Sequence, residues 1–203
     1  DVLNSLEHDT TLRSDIKVYN CGEVARSLLE NGSSLISAVS ITCTEDVIIS
    51  DSGGITAVPD GFGIIRDNKL CCYLTLDQSK VTNLMMNEVT SGIAILHPRE
   101  DLTVSMDVKS AKTKPLPVEG GIFLDIHINL GINEISRSEK VDQKLIEQLQ
   151  EEDRKNVSGW IDEVLAIQKK LGSRFLGFDE EIVGYNVEVI VSQSYDIVDS
   201  PES

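Results

Sequence analysis

The side chains best able to carry chemistry are three histidines, four cysteines and a large excess of carboxylates. The histidines are His8, His97 and His127. His127 lies between Ile126 and Ile128 in an alternating stretch, so it shares a polar strand face with Asp125 and Asn129. Asp125 and His127 are i, i+2 neighbours there. With a third group they would begin a metal or acid–base site; alone on a solvated sheet they are a surface pair. The acidic runs Glu151-Glu152-Asp153 and Asp179-Glu180-Glu181 lack the alternating oxygen ligands and glycine turn of a calcium loop, and read as a solvated acidic face. The cysteines are Cys21, Cys43, Cys71 and Cys72. They form no C-x-x-C, and none has a histidine at zinc-like spacing. Cys71 and Cys72 sit in an apolar strand-like run and point to opposite faces. The expected role is as small buried hydrophobes, with a disulfide or redox role as the alternative.

No G-x-S-x-G elbow, P-loop, H-E-x-x-H or EF-hand loop occurs. Gly61-Phe-Gly63 resembles the start of a dinucleotide fingerprint, but Ile64-Ile65-Arg66 continues as a strand where a helix would have to open. Accordingly, no catalytic, cofactor-binding or metal-binding residue is assigned and no cofactor is implied. Trp160 is the sole tryptophan, and its place on an apolar helix stripe makes it a core or interface residue rather than a sugar platform.

Acids outnumber bases by 34 to 18 in 203 residues, a formal net charge of −16. Such a surface repels nucleic-acid backbones and anionic membranes, so nucleic acid is excluded as a partner. No apolar run approaches the ~18 residues that span a bilayer. The chain opens at Asp1, so the lack of an export signal says nothing about compartment. Aromatic residues make up only 4%, so the core must be aliphatic.

The elements that would position these residues follow from periodicity. Cys21 to Glu30, with Val24, Ala25, Leu28 and Leu29, predicts an amphipathic helix ending at Asn31-Gly32. An apolar segment spans Leu35 to Ile41, and Val47 to Ile49 is a short strand candidate. Turn chemistry at Asp51-Ser-Gly-Gly54 and Pro59-Asp-Gly61 marks a boundary near residue 58. Gly61 to Arg66, Asp67-Asn68 and Lys69 to Leu74 predict a β-hairpin. Asp77 is the expected cap of a helix from Gln78 to about Val89, with Val81, Leu84 and Met85 inward. A short strand follows at Ile93 to Leu96. Leu102 to Lys109 and Ile122 to Ile132 alternate as half-buried antiparallel strands, separated by a Pro115-Leu-Pro117 linker; Tyr185, Val187, Val189 and Val191 repeat the pattern.

Between these strands lies the strongest helical signal. Ser136 with Glu139 predicts a capping box, and Lys169, Lys170 and Gly172 a C-terminus. The stretch 150–156 is wholly polar. Yet Ile146, Leu149, Val157, Trp160, Val164, Ile167 and Leu171 share one stripe at ~100° per residue, with Asp153 among them. A single rod of about 33 residues, roughly 50 Å long, is expected to overhang the sheet around Asp153, with Trp160 as its central anchor. Two helices kinked near Gly159 are the alternative.

In order, these elements are similar to the C-terminal domain of spore germination receptor C subunits, the GerA-type lipoproteins. Gly61-Phe-Gly-Ile-Ile-Arg-Asp-Asn-Lys-Leu70 and Tyr73-Leu-Thr-Leu-Asp77 resemble the family's G-x-A-V-F-K-x-D-K-L-V-G-W-L hairpin, and Ser91-Gly-Ile-Ala-Ile-Leu96 its G-V-I-x-V strand. Gln168-Lys-Lys-Leu-Gly172 with Phe175-Leu-Gly-Phe178 resembles its Q-x-x-x-x-D-x-F-G-F ending. Leu6-Glu7-His-Asp9, Leu12-Arg13 and Glu23-Val-Ala25-Arg26-Ser-Leu-Leu29 resemble a stretch late in its N-terminal region. Arg174 replaces the family's aspartate, Cys72 or Tyr73 and Met85 or Met86 replace its tryptophans, and Glu181 leads to Gly184 without the family's further helical stretch.

The resemblance implies an α+β fold: a mixed, mainly antiparallel sheet with packed helices, including one long C-terminal helix. Residues 1–58 would end an N-terminal domain and 59–203 form the C-terminal germination-lipoprotein domain. It implies a non-enzymatic subunit of a germinant receptor needed for nutrient-triggered spore germination. That subunit is a peripheral lipoprotein on the outer face of the spore inner membrane. Its lipid anchor is absent from this chain, and its partners are the membrane-embedded receptor subunits. Candidate partner contacts are Trp160, Asp153, Phe175 and Phe178. An extracytoplasmic module that binds the germinant, and a hydrolase built on scattered carboxylates, are the rivals.

Overall fold

The computed structural model describes residues 17, 19–43, 55–89, 91–137 and 140–193. The candidate strand at Val47 to Ile49, the motifs upstream of Lys17 and the capping residue Glu139 lie outside these.

The first element, α1 (Cys21–Asn31), is capped as its sequence dictates. Asn20 and Glu23 form a reciprocal capping box, and Gly32, at φ +68°, closes the C-terminus. A three-stranded antiparallel sheet follows, in the order β1 (Ser33–Cys43), β2 (Ile55–Arg66) and β3 (Lys69–Leu74). Asp67 and Asn68 make the β2–β3 turn, both at positive φ, the type I′ geometry their side chains tolerate. The boundary near residue 58 falls inside β2, which pairs with β1 along its length.

Gly61, in β2, shows what a backbone can demand. Its φ is +99°, and a Cβ there would lie 2.2 Å from the Leu74 carbonyl oxygen. Gly61→Ala is therefore expected to cost about 2–3 kcal/mol in chemical denaturation, from the strained φ and the clash together. Stability within about 0.5 kcal/mol of the parent would show that the strand can bend away.

After β3 comes α2 (Leu76–Met85). Four strands then form the second sheet: β4 (Ile93–Arg99), β5 (Leu102–Val118), β6 (Gly121–Ile135) and β7 (Ile182–Gln193), in that spatial order. The fold is α+β, as expected. The β4–β5–β6 ladder is antiparallel, while β7 runs parallel to β6. That parallel pairing requires a crossover, supplied by α3 (Gln143–Leu171). The alternation in Tyr185 to Val191 reported burial correctly but could not report direction.

Two other expectations change. Pro115-Leu-Pro117 is not a linker: Pro115 pairs with Leu124 and Pro117 with Ile122. Among the described residues, β4 pairs only with β5 up to Asp107, so the far half of β5 is an edge, where proline's missing N–H costs nothing. The long helix starts at Asp142, whose carboxylate accepts from Leu145 N at 2.8 Å. Ser136 is engaged elsewhere: its Oγ accepts from Thr103 N at 3.0 Å. From Gln143 to Leu171 the helix is one element without a break at Gly159.

The core is aliphatic, with Phe62 and Phe175 its only buried aromatic side chains among the described residues. Leu124, Ile126, Leu130, Leu149, Ile161 and Val164 join the second sheet to α3. Helix α2 bridges the sheets, touching β2, β3, β5, β6 and α3.

Candidate functional site

A cavity of about 450 Å³ lies between α2 and α3, with β4, β5 and β6 beneath it. That size suits a small-molecule site. Helix α2 is set over it by a capping box at Thr75 and Gln78: Gln78 N donates to Thr75 Oγ1 at 3.2 Å, and Thr75 N to Gln78 Oε1 at 3.0 Å. The cap is thus Thr75 and not Asp77, because the threonine hydroxyl reaches the free N–H one turn on. Asp77 instead holds Lys80, with Nζ 3.6 Å from Oδ1, at the cavity rim. The helix stops at Met85, short of Val89, because Asn87 adopts φ +60°. The Asn87 side chain then accepts from Thr113 N at 2.9 Å, and Thr113 Oγ1 donates to Leu84 O at 2.5 Å. These bonds pin the end of α2 to β5.

The opposite wall is α3. Its buried stripe is Leu145, Leu149, Asp153, Val157, Ile161 and Val164. Asp153 and Val157 line the cavity; Trp160 flanks it, half-buried. The stripe is centred one residue beyond Trp160, so Ile161, fully buried, is the anchor that was expected of the tryptophan. The helix does not overhang the sheet around Asp153 either. His97 N, on β4, donates to Glu152 Oε1 at 3.3 Å, and Asp153 is only 5% exposed. Burial, with Glu152 beside it, raises its carboxyl to about 6. No hydrogen bond or ion pair among the described residues reaches that carboxylate.

A second cluster lies on the open face of the sheet. His127 Nε2 is 2.9 Å from Asp125 Oδ2, and Nδ1 is 2.7 Å from Glu188 Oε2. Asn186 Nδ2 donates to Asp125 Oδ1 at 3.2 Å. The hydrogen bond to Asp125 holds the imidazole above its ordinary pKa, and the same bond lowers Asp125. The third member, Glu188, comes from the parallel strand, a neighbour that sequence spacing does not reveal. The cluster does not line the cavity between α2 and α3, and among the described residues no group of three or more His, Cys, Asp or Glu is arranged to hold a metal.

The remaining singled-out residues scatter. Phe175 is 3% exposed, in the core beside Leu176, just past the α3 C-terminus, and Phe178 is half-buried against that core. Buried as they are, Phe175 and Asp153 offer little side-chain surface to another protein. Trp160 and Asp153 share the cavity; the two phenylalanines do not line it. Sequence reasoning missed Lys80 and the apolar lip Ile93 and Ile95, each more than half exposed. Only the strand pairing brings the lip to α3. Cys21 and Cys71 are exposed and free, contrary to the expected burial; Cys72 is half-buried. Tyr185, on β7, donates to Ser158 O at 3.0 Å and to Asp162 Oδ1 at 2.7 Å, fastening α3 to the last strand.

Three comparisons with known proteins bear on this arrangement. A family described as "Spore germination B3/GerAC like, C-terminal" matches residues 60–194. No curated protein matches. A solved structure titled "Crystal Structure of the GerBC protein" shares the fold, with a TM-score of 0.62 at 17% identity. The similarity covers 86% of this chain and 60% of that one, so this chain spans less than two thirds of its solved neighbour. No helix among the described residues is long and apolar enough to cross a membrane. With the family match running through both sheets and the long helix, the chain belongs to the spore germination B3/GerAC-like family.

Proposed function

We propose that the chain serves as a non-enzymatic, peripheral part of a germinant receptor, required for the response of a spore to nutrients. The observation that carries this is the family match over residues 60–194. On this reading residues 59–203 act as the C-terminal domain and 1–58 end what precedes it, with β1 adding a strand across the junction. The full protein would sit on the outer face of the spore inner membrane, held by a lipid and by membrane-embedded partner subunits. Trp160 and Phe178, half-buried at the surface of the domain, are the contacts proposed for those partners.

The test is a spore-forming strain in which the segment encoding this domain is deleted in frame. Nutrient-triggered loss of refractility is expected to fall at least about tenfold, and the partner subunits should fail to co-purify. Normal germination with an intact complex would overturn the reading. The cavity favours a second reading, in which the domain itself holds a small germinant. Calorimetry of the purified chain with amino acids and sugars separates the two.

A further inference from the structure

The cavity wall contains an anomaly that packing does not explain. On α3, Leu149 and Val157 are buried one turn either side of Asp153, and both are apolar. A helix docked only for stability would carry a third apolar side chain there, because a lone carboxylate loses its hydration and regains nothing. Asp153 is nevertheless 95% buried and lines the cavity, and no hydrogen bond or ion pair among the described residues reaches it. Among the described residues Lys80 is the only cation on the lining, and it sits 3.6 Å from Asp77 at the rim. The rest of the wall is almost wholly aliphatic, with the indole of Trp160 at one side.

We propose that this cavity is a binding site for a small organic cation, a primary ammonium on an apolar body, with Asp153 as the counter-charge. The ammonium supplies the hydrogen bonds and positive charge that the carboxylate lacks, and the aliphatic walls take the hydrocarbon. The exposed lip at Ile93 and Ile95 admits it from solvent. The indole face offers a further attraction for the cation. A net charge of −16 draws cations to the whole molecule. The site needs no receptor complex, so it stands or falls separately from the subunit reading above.

Trp160, the sole tryptophan, lines the cavity and reports its occupancy directly. The 203-residue chain is titrated near neutral pH with 2-phenylethylammonium, 2-phenylethanol and 3-phenylpropanoate, reading indole emission and calorimetric heat. Saturable binding of the amine is expected below about 1 mM, with the alcohol and the acid weaker by about tenfold or more. Asp153→Asn should weaken the amine by about tenfold and leave the alcohol unchanged. Asp153→Leu should abolish amine binding in a protein whose melting temperature has not fallen. Equal affinity for amine and alcohol, undiminished amine binding by Asp153→Asn, or no saturable response would each overturn the proposal. Abolished germination with intact amine binding, or the reverse, would tell the two readings apart.

Discussion

Ile161→Ala is expected to lower the stability of the chain by about 3–4 kcal/mol, the range for truncating a fully buried aliphatic side chain. Ile161 has no exposed surface and sits where α3 meets the sheet, between Val157 and Val164. The cavity left behind has rigid walls: the helix is tied to β7 through Tyr185 and cannot collapse inward freely. Trp160→Ala should cost less, about 1–2 kcal/mol, because the indole is half-buried and its removal only enlarges an existing cavity. Urea denaturation of the two variants decides the order. A tryptophan variant weaker than the isoleucine variant would place the anchor one residue earlier. Amide exchange should also be uniformly slow across residues 150–159, in keeping with one rod.

Asp153→Leu is expected to raise stability by about 2–3 kcal/mol at pH 8 and by much less at pH 4. The sign follows from the direction of the shift. Asp153 titrates near 6 in the fold against 3.8 in the unfolded chain. The folded state therefore holds its proton more tightly, and stability falls as pH rises from about 4 through 6. At ~1.36 kcal/mol per pKa unit, the full penalty above pH 6 is about 3 kcal/mol. Leucine removes that penalty and matches the neighbouring side chains. Measuring melting at several pH values separates this from a packing effect, which would be the same at all of them. Equal gains at pH 4 and pH 8 would show that Asp153 is neutral or paired throughout.

Local chemistry was legible wherever its partners lie close in the chain. The hairpin turn at Asp67-Asn68, the capped end of α1 at Gly32 and the unbroken helix through residues 150–156 all follow from neighbours within one or two turns. The alternation of β6 likewise identified its buried face, Leu124, Ile126 and Leu130 included. What could not be read depends on distant pairings. Pro115 and Pro117 resemble a linker until the short reach of β4 leaves that half of β5 unpaired on one side. Ser136 resembles a cap until Thr103, 33 residues earlier, claims its hydroxyl. The site was half legible: the helix stripe named Asp153 and Trp160, but the lip and Lys80 reach them only through tertiary packing. Asp153 was visible as polar within an apolar stripe, and its burial depended on β4 packing against α3.

The parallel pairing of β6 with β7 also sets an order in time. The β5–β6 hairpin closes through a two-residue turn and can form as soon as both strands exist. The other side of β6 must wait for the whole of α3 and for residues beyond 182, because β7 arrives only at the end of the crossover. During synthesis, Gly121–Ile135 therefore presents a long, aliphatic, hydrogen-bond-hungry edge for seconds before its last neighbour leaves the ribosome. In refolding, closure of that edge is a late, slow event, since the loop it must close is the longest between paired strands of this sheet. Protection of the β6 amides facing β7 should lag behind that of the amides facing β5, and a chain ending before residue 182 should aggregate through the strand left open.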